Sequence, residues 1–210
     1  MDVKRLLPGG GIVFVGLIVA TLLVGGSTPG HTASGARLVS YYDAHQTRVL
    51  LAAFLLAATA PFLIAFVASL ATRWAPDDSG NPWRLMFVGG SVLAAAAFGI
   101  TAVLTYGLAD VPDKLSGNAL QAVNVLNEGT WMMFNPALGV MMLGAAGTLL
   151  SRSAGRRWLG WVALFLGVAL FIPFADFVAL LATGAWIIVT SVLELLSGRQ
   201  VELAPSPGMA

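Results

Sequence analysis

Cysteine is absent from the 210-residue chain, which excludes disulfides, thiol nucleophiles and cysteine-ligated metal. Only His31 and His45 offer imidazole, and neither stands at ligand spacing from the other or from a carboxylate. Charge is scarce too. Charged residues make up 10% of the chain, and 11 basic against 10 acidic side chains leave a net charge of +1. That balance, with no basic cluster, gives no reason to propose nucleic acid. The seryl residues lack an adjacent base, with Ser40 near His45 the one faint candidate for a nucleophile. The glycines at Gly9 to Gly11 and Gly89 to Gly90 lack the strand, turn and helix of a phosphate-binding loop. No cofactor signature is present.

What the chain has in abundance is apolar length, with 58% hydrophobic residues. A spanning helix needs about 20 mostly apolar residues, at about 1.5 Å each across a hydrocarbon core about 30 Å thick. Stretches 11–26, 49–70, 85–108 and 131–150 qualify, and 158–196 is too long for one crossing. Pro173 removes a backbone donor and Asp176 is disfavoured in hydrocarbon, so the last stretch divides into 158–173 and 176–196. Runs such as Leu50 to Ala60 lack the alternation of a membrane barrel. The fold class expected is therefore an all-α polytopic bundle of about six spans, forming one domain over 1–203, with a disordered tail at 204–210. Lys4 and Arg5 ahead of a short apolar run also fit a cleaved signal peptide, which would leave five spans. Retention as a first membrane helix is the reading adopted.

Six crossings put both termini on one side. Lys4, Arg5, Arg73, Arg84, Arg152, Arg156, Arg157 and Arg199 fall on the side of the termini, and Arg37, Arg48 and Lys114 on the other. Eight against three places the termini in the cytoplasm. Asp43, Asp110, Asp113, Glu128 and Asp176 fall on the remote side, giving it a formal charge of −2. Trp74, Trp83 and Trp158 then sit at cytoplasmic ends and Tyr41, Tyr42, Tyr106 and Trp131 at outer ones, as interfacial rings do.

Two connections carry more than linker character. Ser34 can cap a short interfacial helix through Tyr41, Tyr42 and His45, in which Tyr41, His45 and Arg48 lie about one turn apart. The segment Asp110 to Thr130 begins as a turn at Asp110, Pro112 and Asp113, then reads as a helix running into the fourth span. Gln121, Asn124, Glu128 and Asn135 share one face of it, with Asn127 beside them. Pro136 should loosen that helix against the carbonyl of Met132. In the third span, Ser91, Ala95 and Gly99 form a small-residue stripe suited to close helix packing.

The candidate ligand site is the polar set near the outer helix ends: Tyr41, Tyr42, His45, Arg48, Asn124, Asn127, Glu128, Asn135 and Asp176. Ionisable groups at membrane depth face a cavity or a partner, so convergence of these ends would form an outward-facing pocket with Arg48 and Glu128 as counter-ions. Plain structure competes with each role. Asp176 fits a helix cap, the tyrosines fit interface anchors, and Arg48 and Glu128 fit solvated headgroup positions.

Tyr41, Tyr42 and His45, together with Arg156, Arg157, Trp158, Leu159, Gly160 and Trp161, resemble a broad set of uncharacterised small multi-pass membrane proteins of actinobacteria. The likeness covers Ser40 to about Leu170. It implies the plasma (inner) membrane and supplies no substrate or catalytic residue. Two function classes remain. One is a non-catalytic membrane protein, either an accessory subunit on another membrane protein or a binder of membrane lipid or a small apolar ligand. The other is a small transporter or channel working as a homo-oligomer, which calls for broken helices or a continuous polar path. A membrane enzyme ranks third. The charge asymmetry makes one direct prediction: a reporter fused after Ala210 is active in the cytoplasm, and activity only outside the cell would reverse the topology.

Overall fold

A computed structural model of the chain describes residues 6–74, 80–110, 112, 114–151 and 156–203. After a short 3-10 turn at Leu7–Gly9 come α1 (Gly10–Gly25), α2 (Gly35–Ala44), α3 (Gln46–Trp74), α4 (Pro82–Asp110) and α5 (Gly117–Glu128). Then follow α6 (Trp131–Leu150), α7 (Arg157–Ala169) and α8 (Asp176–Leu203). No strand occurs among the described residues. The expected tail at 204–210, the N-terminal Lys4 and Arg5, Asp113, Arg152 and most of the connection ahead of Gly80 lie outside them.

Among the described residues five helical segments are long and apolar enough to cross a membrane, and α7 is a shorter apolar helix. The expected fifth span ends early, at Ala169. Residues 170–175 instead make tight turns, with Phe171 N–H donating to Val168 and Ile172 N–H to Ala169, before Pro173 blocks continuation. At Phe174 the backbone turns left-handed, with φ 75°. The thirteen residues of α7 cover about 20 Å, and the turn then runs beside α6 from Gly139 to Asn135. Three glycines record this antiparallel path: a Cβ on Gly160 would touch Leu149 and Leu150, one on Gly167 would touch Leu143, and one on Gly139 would touch Phe171.

The second expected run is also divided. The helix from Gly117 breaks at Gly129–Thr130, where Thr130 N–H donates to Asn127 and Met132 N–H to Gly129. This separates α5, an amphipathic segment, from the apolar α6. Segments α2 and α5 lie together at one end of the bundle, here called the cap end, and the opposite end is the base end. Their construction matches. Ser34 and Ser116 each cap a helix by accepting the N–H three residues on, from Arg37 and Ala119. Gly35 and Gly117 follow them and meet backbone to backbone, since a Cβ on Gly35 would lie 2.5 Å from the Gly117 carbonyl. Leu38 and Leu120 are fully buried in one small core, and Tyr42 bonds to Asn124, 82 positions later. The same offset of 82 relates all four pairs, so α2 and α5 run parallel.

The main core joins α1, α3, α4, α6, α7 and α8. Its closest approach is between α4 and α6, where glycine lets backbone meet backbone. A Cβ on Gly90 would lie 2.4 Å from Met141 N, and one on Gly144 would lie 2.2 Å from Phe87 N. The stripe expected at Ser91, Ala95 and Gly99 is corrected in part: Ser91 and Ala95 are buried, but a Cβ on Gly99 would meet nothing within 4 Å. The helix turns its Gly90 face to α6, so Gly99, nine residues on and half a turn away, points elsewhere.

This contrast is testable. Gly144→Ala must displace the α4 backbone and should destabilise the bundle by about 1–3 kcal/mol. Gly99→Ala should be neutral or gain up to ~1 kcal/mol from helix propensity. Thermal melting in detergent distinguishes them, and equal midpoints would count against the glycine contact.

Candidate functional site

The cap is built on a nine-residue strap, 26–34, that joins α1 to α2. A segment without secondary structure carries unpaired backbone groups, and α5 supplies their partners. Gln121 Nε2 donates to Ala33 O at 3.0 Å, and Asn124 Nδ2 donates to Pro29 O at 3.3 Å. Glu128 Oε2 accepts from His31 N–H at 3.0 Å and lies 3.1 Å from His31 Nδ1. These are positions i, i+3 and i+7, the polar face visible in the sequence. Asn124 is itself fixed by Tyr42, whose hydroxyl donates to its Oδ1 at 3.0 Å.

A second group holds the start of the strap. Arg48 donates to the Tyr41 hydroxyl at 2.9 Å, and that hydroxyl donates to Ser27 O at 2.8 Å. The Tyr41 ring stacks on His45 at 4.5 Å and meets Tyr42 edge-on at 5.3 Å. Gly26, with φ 63°, turns the strap beneath the Arg48 guanidinium. Only glycine takes that conformation without cost. Asn127 accepts from Thr105 Oγ1 at 3.1 Å, tying α5 to α4.

The expected ion pair between Arg48 and Glu128 is not formed. Glu128 is taken by His31 of the strap and Arg48 by Tyr41 of α2, each a nearer partner than the opposite charge. Tyr42 is likewise buried at the α2/α5 seam, not exposed as an interfacial anchor. Asn135 and Asp176 form a separate pair away from this cap, Asn135 Nδ2 donating to Asp176 Oδ2 at 3.0 Å. Asp176 Oδ1 accepts Phe177 N–H at 2.9 Å, so the carboxylate serves the start of α8 and binds α6 as well.

The base end holds a cluster absent from the sequence expectations. Glu194 on α8 is 5% exposed and accepts from Trp74 Nε1 at 3.0 Å. Arg73 approaches the other oxygen, Oε2, at 3.4 Å, and Arg156 pairs with Oε1 while also reaching Ser197. Trp74, expected as an interfacial ring, instead stacks on Phe87 and meets Trp186 edge-on. The sequence signal was available: Glu194 is the one carboxylate in an otherwise apolar run from Phe177 to Leu196, near its end. Among the described residues, Arg84 Nε, Asn135 Oδ1, Thr183 Oγ1 and Thr190 Oγ1 are buried without a partner.

No group of three or more metal-ligating side chains occurs among the described residues. No known protein family, curated protein or solved structure matches the chain.

Burial, with Tyr41 and Glu128 alongside, pushes the Tyr42 phenol up to about 12 from an ordinary 10.0. The fold thus prefers the neutral phenol. Its contribution to stability is complete below pH 10 and is lost as pH rises through about 12. Melting midpoints of the wild type should therefore fall more steeply over that window than those of Tyr42→Phe. At neutral pH the variant should lose about 1 kcal/mol with the Asn124 bond. Parallel alkaline profiles would remove Tyr42 from the pH response.

Proposed function

We propose that the protein is a non-catalytic, multi-pass plasma-membrane protein whose outer cap binds an acidic amphiphile, an anionic lipid headgroup or a small apolar ligand bearing an acid group. One observation carries this reading. Arg48 is exposed at the start of α3, and its described partner is a neutral hydroxyl, so its charge remains available. A cation held in place by a ring stack, at the level where a long apolar helix begins, fits an acid group in the headgroup layer.

The surroundings suit the rest of such a ligand. Leu51 and Phe54 on α3 and Leu22 and Leu23 on α1 are exposed below that level, available to acyl chains. Tyr41 and His45 supply neighbouring polar edges. Catalysis finds no support in the same geometry. The polar residues of the cap are engaged in clamping the strap, and His45 Nδ1 lies 2.9 Å from the Tyr41 carbonyl, not beside a nucleophile. In this reading α7 and its turn make a sixth crossing, both termini are cytoplasmic, and the basic residues of the base end face the inner headgroups.

Mass spectrometry of the protein purified in mild detergent tests the proposal. Wild-type protein should retain an acidic lipid or amphiphile, and Arg48→Gln should retain roughly tenfold less. The variant should stay folded because Arg48 is exposed. Equal retention would defeat the assignment of Arg48. Stoichiometric recovery of a membrane protein with no acidic ligand would favour an accessory subunit instead.

A further inference from the structure

We propose that one face of α8 is a proton path through the bundle, from Asp176 to Glu194 by way of Thr183 and Thr190. It goes beyond the cap reading and shares none of the residues that carry it. At 3.6 residues per turn these four positions fall within about 40° of arc. Asp176 and Glu194 are about five turns apart, or ~27 Å, close to the hydrocarbon thickness of a bilayer. The helix therefore carries a carboxylate near each margin and hydroxyls between.

The hydroxyls are unlike others in the bundle. Thr21, Thr101, Thr148 and Ser191 each bond back to the carbonyl four residues earlier, which satisfies them locally. Thr183 and Thr190 do not. They are 1% and 0% exposed, and their Oγ1 atoms have no partner. A hydroxyl both donates and accepts, so a buried one left free can take a hydrogen bond on one side and pass one on the other; across the two turns, about 10 Å, that separate 176, 183 and 190, internal water carries the hand-over.

Asp176 has the character of an entry group. Among the described residues no basic side chain forms an ion pair with it, and its polar neighbours are Asn135 on α6 and the Phe177 amide. Phe174 beside it is 99% exposed, and Ile172, Phe177 and Val178 are exposed too, which sets this turn in the apolar layer. Ionisable side chains set in such a layer mark ion pathways and proton relays. Asn135 answers both states: Nδ2 donates to the ionised carboxylate, and the buried, unpartnered Oδ1 can accept from the protonated acid. At the base end Glu194 faces Arg73 and Trp74 of α3, Arg156 ahead of α7 and, through Arg156, Ser197. Those cations re-form their pairs when the proton leaves to the base side. Each transfer breaks one O–H bond and makes one, and the net event is a proton taken from water at the cap side and released to water at the base side. No other reactant is consumed.

The full chain, reconstituted in phosphatidylcholine vesicles containing a pH-sensitive dye, should acidify the interior under a valinomycin-set potassium potential. The rate should exceed that of empty vesicles by roughly tenfold or more. Asp176→Asn should abolish the excess, and Thr183→Val with Thr190→Val should lower it about tenfold, while Thr190→Ser, which keeps the hydroxyl, should retain it. Wild-type flux equal to empty vesicles would overturn the path. So would a threonine double variant of native helix content that conducts like wild type, or acidification that follows sodium or chloride substitution.

Discussion

A hydrogen-bonding group that enters an apolar layer has to find its partner within the chain, because lipid offers none. The architecture follows from where this chain places such groups. The strap of 26–34 is irregular backbone, and α5 meets its free carbonyls and amide with Gln121, Asn124 and Glu128. The break before α8 is covered by tight turns and by Asp176, whose two oxygens serve Phe177 and Asn135. At the other end Glu194 enters the core only in company with Trp74, Arg73 and Arg156. A buried charge that lost one such partner would be left exposed to the full desolvation cost, so these contacts are more constraining than their number suggests.

Packing between helices answers a different need. Leucine against lipid is as favourable as leucine against leucine, so association depends on close approach. Gly90 and Gly144 give α4 and α6 that approach, and Gly10 and Gly11 do the same for α1 against α3 and α8. The aromatic stack of Phe87, Trp74 and Trp186 then fills the space at the base end and presents one indole N–H to Glu194. Hydrophobic residues exposed around the circumference, such as Val103 and Phe165, are the outward-facing counterpart of this tight interior.

Helical class and the main apolar segments were legible because the bilayer requires length and apolarity, both local properties of sequence. Ser34 as a cap and the polar face of α5 were legible for the same reason, since caps and helix faces have short periods. Pairing was not. Arg48 and Glu128 looked like counter-ions from charge and level alone, but the intervening strap separates them. The matched pairs of Ser34 with Ser116 and Tyr42 with Asn124 escaped notice because only three positions repeat identically around them, a serine, the glycine after it and a leucine. Glu194 was not singled out; its burial depends on the last turn of α3 bringing Arg73 and Trp74 to α8, which no local pattern reports.

The offset between the two halves of the cap sets an order in time. Residues 31–42 emerge well before 121–128, and the bonds joining them span 82 to 97 positions. At about 5–20 residues per second of synthesis, the strap waits roughly 4–20 s for its clamps. During that interval α3 and α4 are made while the first connection remains open. Closure of the cap is thus a late event in biogenesis, completed only when the fourth long segment arrives in the correct orientation.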